Sequence, residues 1–179
     1  KNLRPGHTGS SYRNFFGAEN YTLYNKLKMF VYGPNSTKKV SFFLRIGPDS
    51  TNYYEYRTTV YPGWDERNEV EMDFAKMTGL KNYLLERLAQ DPTAARETTD
   101  ANYKIKGNPS LSVIKWFVVG VTNEDSHPVT GEIWIDELTS TDVRRTPGWA
   151  QSVNLTLGFS DFVTVSGTFR KVDSEFHNL

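Results

Sequence analysis

The sequence predicts a mainly β protein: an antiparallel β-sandwich of jelly-roll, galactose-binding-like type, with one short helix and a C-terminal β extension. Three observations point there. Aromatic residues make up 14% of the 179 residues, led by eleven Phe and ten Tyr, and such rings suit half-buried pleated surfaces better than helix interiors. Apolar and polar residues alternate with a period of two through several short segments punctuated by Gly, Pro and Asn. One segment alone has the four-residue spacing of a helix.

In chain order, residues 1–19 are expected as an N-terminal extension or linker, 20–146 as the sandwich module and 147–179 as a C-terminal extension. From Tyr21 to Tyr32, Leu23, Leu27, Met29 and Val31 fall on one side of a strand, and Lys26, Lys28 and Phe30 on the other. After Gly33-Pro34-Asn35-Ser36, the alternation of Val40, Phe42, Leu44 and Ile46 with Ser41, Phe43 and Arg45 predicts the second arm of a hairpin. Two further strands carry Tyr54, Tyr56, Thr58 and Val60, then Val70, Met72 and Phe74, joined across Pro62-Gly63-Trp64. Leu80, Leu84 and Leu88 predict a helix over Thr78–Ala89, capped by Thr78 and stopped by Asp91-Pro92.

The polar stretch Asp91–Asp100 reads as a loop, and Tyr103 and Ile105 as a strand ending at Gly107-Asn108-Pro109. Ile114–Thr122 is apolar on both faces and is expected in the middle of the sandwich. Gly131–Leu138 closes the module, with Ile133 and Ile135 on one face and Trp134, Asp136 and Leu138 on the other, where Trp134 and Leu138 are expected to fill a core. Beyond Pro147-Gly148, apolar residues alternate with small polar ones through Val153–Phe159 and again through Val163–Thr168. Strands of an outer-membrane barrel read this way, although each segment falls short of the roughly 9–11 residues a spanning strand needs, and an ordinary sandwich extension gives the same pattern.

Acidic and basic side chains balance at 21 each and are scattered, so no field draws in nucleic acid. The absence of cysteine removes disulfides, thiolate zinc sites and thiol nucleophiles. No run of about 18 apolar residues offers a spanning helix. The start lacks both an initiator Met and a hydrophobic signal core, so a fragment or a processed product is expected.

No catalytic residue, cofactor or metal site is expected. Asp136 and Glu137 are neighbours on a strand and point to opposite faces, unlike the facing carboxylates of a glycosidase. His7, His127 and His177 are isolated. Asp49, Asn52, Asp65, Glu66, Asn68, Asn123, Glu124 and Asp125 put oxygen ligands in loops, without the alternating acidic pattern of a calcium loop. Tyr54, Tyr56 and Trp64 are the candidate ligand-stacking rings of a carbohydrate-binding jelly roll, with cross-strand packing as the other account of the same cluster.

The runs Tyr103–Ser112, Trp116–Val121 and Gly131–Leu138, with the later Gly148-Trp149-Ala150, resemble a recurring module of the SprA (Sov) family. Tyr24–Phe30 and Asn52–Arg57 resemble two more of its segments in the same order, so the likeness spans about residues 20–170. Asp136 departs from the Asn common in that family. The resemblance implies a piece of a bacterial outer-membrane translocon of type IX secretion, with gliding motility dependent on it. It implies other translocon components and secreted cargo as partners, and the outer membrane as the location of the parent protein. The matched residues read as architecture: Gly107, Asn108 and Pro109 as a turn, Trp134, Asp136 and Leu138 on the closing strand, and Gly148 ahead of Trp149.

Overall fold

The computed structural model describes residues 2–36, 38–143, 150–159 and 163–172, which fall into two units, 1–143 and 144–179. In the first unit the strands are β1 (Asn2–Leu3), β2 (Thr8–Glu19), β3 (Tyr24–Tyr32), β4 (Val40–Gly47), β5 (Tyr53–Val60) and β6 (Glu69–Asp73). Helix α1 (Phe74–Gln90) follows, then β7 (Glu97–Asp100), β8 (Tyr103–Lys106), β9 (Ile114–Asn123), β10 (Val129–Thr130) and β11 (Trp134–Val143). One sheet has the order β2-β9-β4-β5-β8-β7 and a second the order β11-β3-β6, with β1 and β10 paired apart. All pairings are antiparallel, and the sandwich read from the alternation is the fold observed.

The core lies between the sheets. Leu27, Met29, Val31, Val70 and Met72 of the small sheet meet Phe42, Leu44, Ile46, Tyr54, Ile105 and Phe117 of the large one, and Phe74, Met77 and Leu84 of α1 close one end. β9 is bonded to neighbours on both edges, β2 and β4. Gly120 of β9 is required to be small: a Cβ there would stand 2.4 Å from the ring of Phe43 on the adjoining strand.

Several expectations are corrected. The turn after Tyr32 does not close a hairpin, because β3 belongs to the small sheet and β4 to the large one. Turn residues record that the chain reverses, not which sheet it enters. β5 and β6 are likewise split between the two sheets across a short 3-10 turn, Glu66–Asn68. Leu23, expected on the core side of the first strand, precedes β3 and is 49% exposed.

The helix starts four residues before Thr78. Asp73 caps it by accepting from the amides of Ala75 and Lys76, while the Thr78 hydroxyl bonds back to the Phe74 carbonyl inside the helix. Part of the expected loop is strand β7, a polar edge paired with β8. Residues 8–19, expected as an extension or linker, form edge strand β2.

The second unit contains β12 (Ala150–Phe159) and β13 (Val163–Val172), paired without interruption from Ala150 opposite Val172 to Phe159 opposite Val163. Each strand has ten residues, longer than the alternation alone suggested.

Candidate functional site

The outer surface of the small sheet is built from the residues of β3 that alternate with its core set. Tyr32, Phe30, Lys28 and Lys26 point away from Leu27, Met29 and Val31. At one end are two lysines and their partners: Lys26 Nζ lies 2.7 Å from Glu71, and Lys28 Nζ lies 2.8 Å from Glu71 and 3.2 Å from Glu69. The Lys26 and Lys28 ammoniums hold the Glu71 carboxyl below its ordinary range.

At the other end three rings assemble from distant parts of the chain. Trp134 is the cross-strand partner of Tyr32, and the two rings stack at 5.0 Å with planes 25° apart. Trp64 meets Tyr32 edge-on at 5.4 Å. Trp64 and Trp134 remain 53% and 54% exposed, so each offers an open ring face. The Trp134 indole N–H donates to Glu132 at 3.2 Å.

The loop carrying Trp64 is tied down by backbone and side-chain hydrogen bonds. Gly33 and Gly63 exchange backbone hydrogen bonds at 3.1 Å, an approach only glycine permits at position 33, where a Cβ would lie 1.9 Å from the Tyr61 carbonyl. The buried amide of Asn68 accepts from the Tyr61 N–H at 2.7 Å and donates to the carbonyls of Tyr61 (2.7 Å) and Gly63 (3.1 Å). Asp65 pairs with Arg67 at 2.7 Å and its carboxyl is pushed down to about 2, chiefly by that guanidinium. Arg67 in turn lies 3.6 Å over the ring of Tyr61.

The rings proposed from sequence are not brought together. Tyr54 is a core residue, 2% exposed; its hydroxyl donates to the Pro109 carbonyl at 3.0 Å, and burial pushes its pKa up to about 12. Tyr56 packs edge-on against Tyr103 at 5.2 Å. Trp64 alone of the three lies in the exposed cluster, and Tyr32 was missed. The available signal was that Tyr32 shares the side of Lys26, Lys28 and Phe30, away from Leu27, Met29 and Val31; Trp134 was expected on a core face.

Gly107 has φ +69°, its N–H bonds to Arg96, and the Asn108 N–H bonds to the Asn52 side chain at 2.9 Å. The Pro109 carbonyl accepts from Tyr54 and from Lys81 at 2.7 Å. Trp134 and Leu138 do not fill a core; they are 54% and 49% exposed. One extra residue between Asp136 and Thr139, with Glu137 at φ +55°, bulges β11 and leaves Leu138 on a groove of about 350 Å³ shared with Tyr12 and Phe15 of β2. Asp136 is exposed and accepts from the Glu137 amide. Gly148 and Trp149 lie outside the described residues, as does His177.

The loop carboxylates serve their own turns. Asp49 accepts from Thr51 and Asn52 and is lowered by the Thr51 hydroxyl first; Asp125 is lowered first by the His127 amide. Asn123 ties the Leu3 and His127 carbonyls together. Among the described residues no group of three His, Cys, Asp or Glu is placed to hold a metal ion.

The family model SprA_N, described as motility related/secretion protein, matches residues 1–179, the whole chain. No curated protein matches it.

Proposed function

The chain belongs to the SprA_N family of motility-related secretion proteins, and on that premise we propose that it is a noncatalytic module of a bacterial outer-membrane translocon. Its role is structural or cargo-contacting, in type IX secretion and the gliding motility that depends on it. The observation that carries the membrane part is the β12–β13 hairpin. Its register sets Val153 opposite Phe169, Leu157 opposite Val165 and Phe159 opposite Val163, while Asn154 faces Thr168 and Thr156 faces Ser166. Apolar pairs and small polar pairs therefore alternate, over strands of ten residues, the length at which a tilted strand crosses a hydrocarbon layer.

A lone hairpin has two open edges, which a bilayer does not tolerate. On this reading β12 and β13 join further strands of a larger barrel. Partners are then other translocon components and passing cargo, with no turnover of a small substrate.

The test is an in-frame removal of residues 150–172 from the parent protein in its own bacterium, followed by membrane fractionation. Loss of the parent protein from the outer-membrane fraction is expected. Undiminished outer-membrane recovery with normal secretion would refute the assignment.

A further inference from the structure

We infer that Trp64, Tyr32 and Trp134 form a recognition platform for an extended, Arg- or Lys-bearing polypeptide segment. This inference goes beyond the secretion role and does not depend on it. Two half-open indole faces converge on one tyrosine ring at 5.0 and 5.4 Å, and an aromatic face attracts a cation placed over it.

The surroundings add charge complementarity. Asp65 and Glu66 follow Trp64 in the chain, Glu132 holds the Trp134 indole, and Asp136 and Glu69 stand opposite Phe30 in the next row of the sheet. Arg67 is spent on Asp65, and Lys28 on Glu69 and Glu71, so those carboxylates are matched, while the Lys38 ammonium donates to the neutral Pro128 carbonyl and keeps its charge. Glu66, Glu132 and Asp136 outnumber that one cation, so the counter-charge missing from this surface is positive.

A neutral glycan would use the rings but not that excess, and the Trp134 indole N–H, a natural donor to a sugar hydroxyl, is taken by Glu132. The linear order of the sheet surface, aromatic row then acidic row, suits a chain with cationic side chains at alternate positions. Arginine fits best, because its planar guanidinium stacks on rings and binds carboxylates.

The experiment is a titration of the full chain, followed by NMR of the tryptophan indole N–H groups. The probes are an (Arg-Gly)4 peptide, a (Glu-Gly)4 peptide and a neutral glucose hexasaccharide. Saturable shifts at Trp64 and Trp134, with Trp116 unmoved, are expected for the basic peptide alone. Trp134→Ala is expected to weaken binding roughly tenfold. The double variant Glu66→Gln/Asp136→Asn, confined to exposed side chains, should weaken it severalfold and flatten its salt dependence, which keeps the test valid if Trp134→Ala disturbs the edge. No shift with the basic peptide, equal binding of the acidic one, or saturation by the hexasaccharide in its place would each overturn the inference.

Discussion

The two sheets of the sandwich both carry rings and charges on their outer surfaces, yet one surface is closed and the other open. On the large sheet Phe43 is 1% exposed although it points away from the core. The guanidiniums of Arg45 and Arg57 lie 4.5 and 5.1 Å over its ring. Glu55, 3% exposed, takes Arg45 at 2.6 Å and Arg57 at 3.1 Å. Arg57 also donates to Ser41 and Thr122, and Ser41 donates to Glu124. Cations and anions are matched within this surface, and the side chains seal it. On the small sheet the rings at Trp64 and Trp134 are about half exposed, and the carboxylates of Glu132 and Asp136 are held by an indole N–H and a backbone amide rather than by cations. The lesson is that composition alone does not make a binding face; what matters is whether its charges are already spent on one another.

Three substitutions test that contrast, beginning with the largest effect. Phe43→Ala should cost about 3–4 kcal/mol in urea unfolding, as for a core phenylalanine, despite its position on an outer face. A loss under about 1 kcal/mol would mean that the guanidinium cover is not a real packing layer.

Glu55→Gln leaves two guanidiniums without their shared carboxylate. Because both are partly solvated, the expected cost is about 2 kcal/mol, below the figure for a fully buried pair. An unchanged urea midpoint would show the network to be ornamental. Trp134→Ala removes a ring from the open face and should cost no more than about 1 kcal/mol. A loss comparable to that of Phe43→Ala would make the platform part of the core and dissolve the comparison.

Much of the sandwich was legible because burial writes itself into alternation. Leu27, Met29 and Val31 set the inner face of β3, and the doubly apolar run around Trp116–Val121 marked an interior strand. Sheet membership was not legible: β3 and β4 are neighbours in sequence, and only the distant partners of each, β11 and β9, decide that they separate. The helix start was hidden because Phe74 continues the two-residue period of Val70 and Met72 while Asp73 already caps the helix. β7 escaped because Glu97–Asp100 has no apolar alternation at all. The exposed platform draws on residues 32, 64 and 134, whose meeting depends on one cross-strand register and one glycine contact. No local motif encodes that.

The most direct test of the secretion account compares charges placed on the two kinds of register position in the β12–β13 hairpin of the parent protein. One strain carries Leu157→Arg with Val165→Arg, an apolar pair; the other carries Thr156→Arg with Ser166→Arg, a polar pair. Protein delivery to the culture medium is the readout. Delivery should collapse in the first strain and continue in the second, because arginine at a bilayer midplane costs about 2–4 kcal/mol per strand position. Equal delivery by both strains would contradict a membrane-facing hairpin, and with it the placement of this module at the translocon barrel.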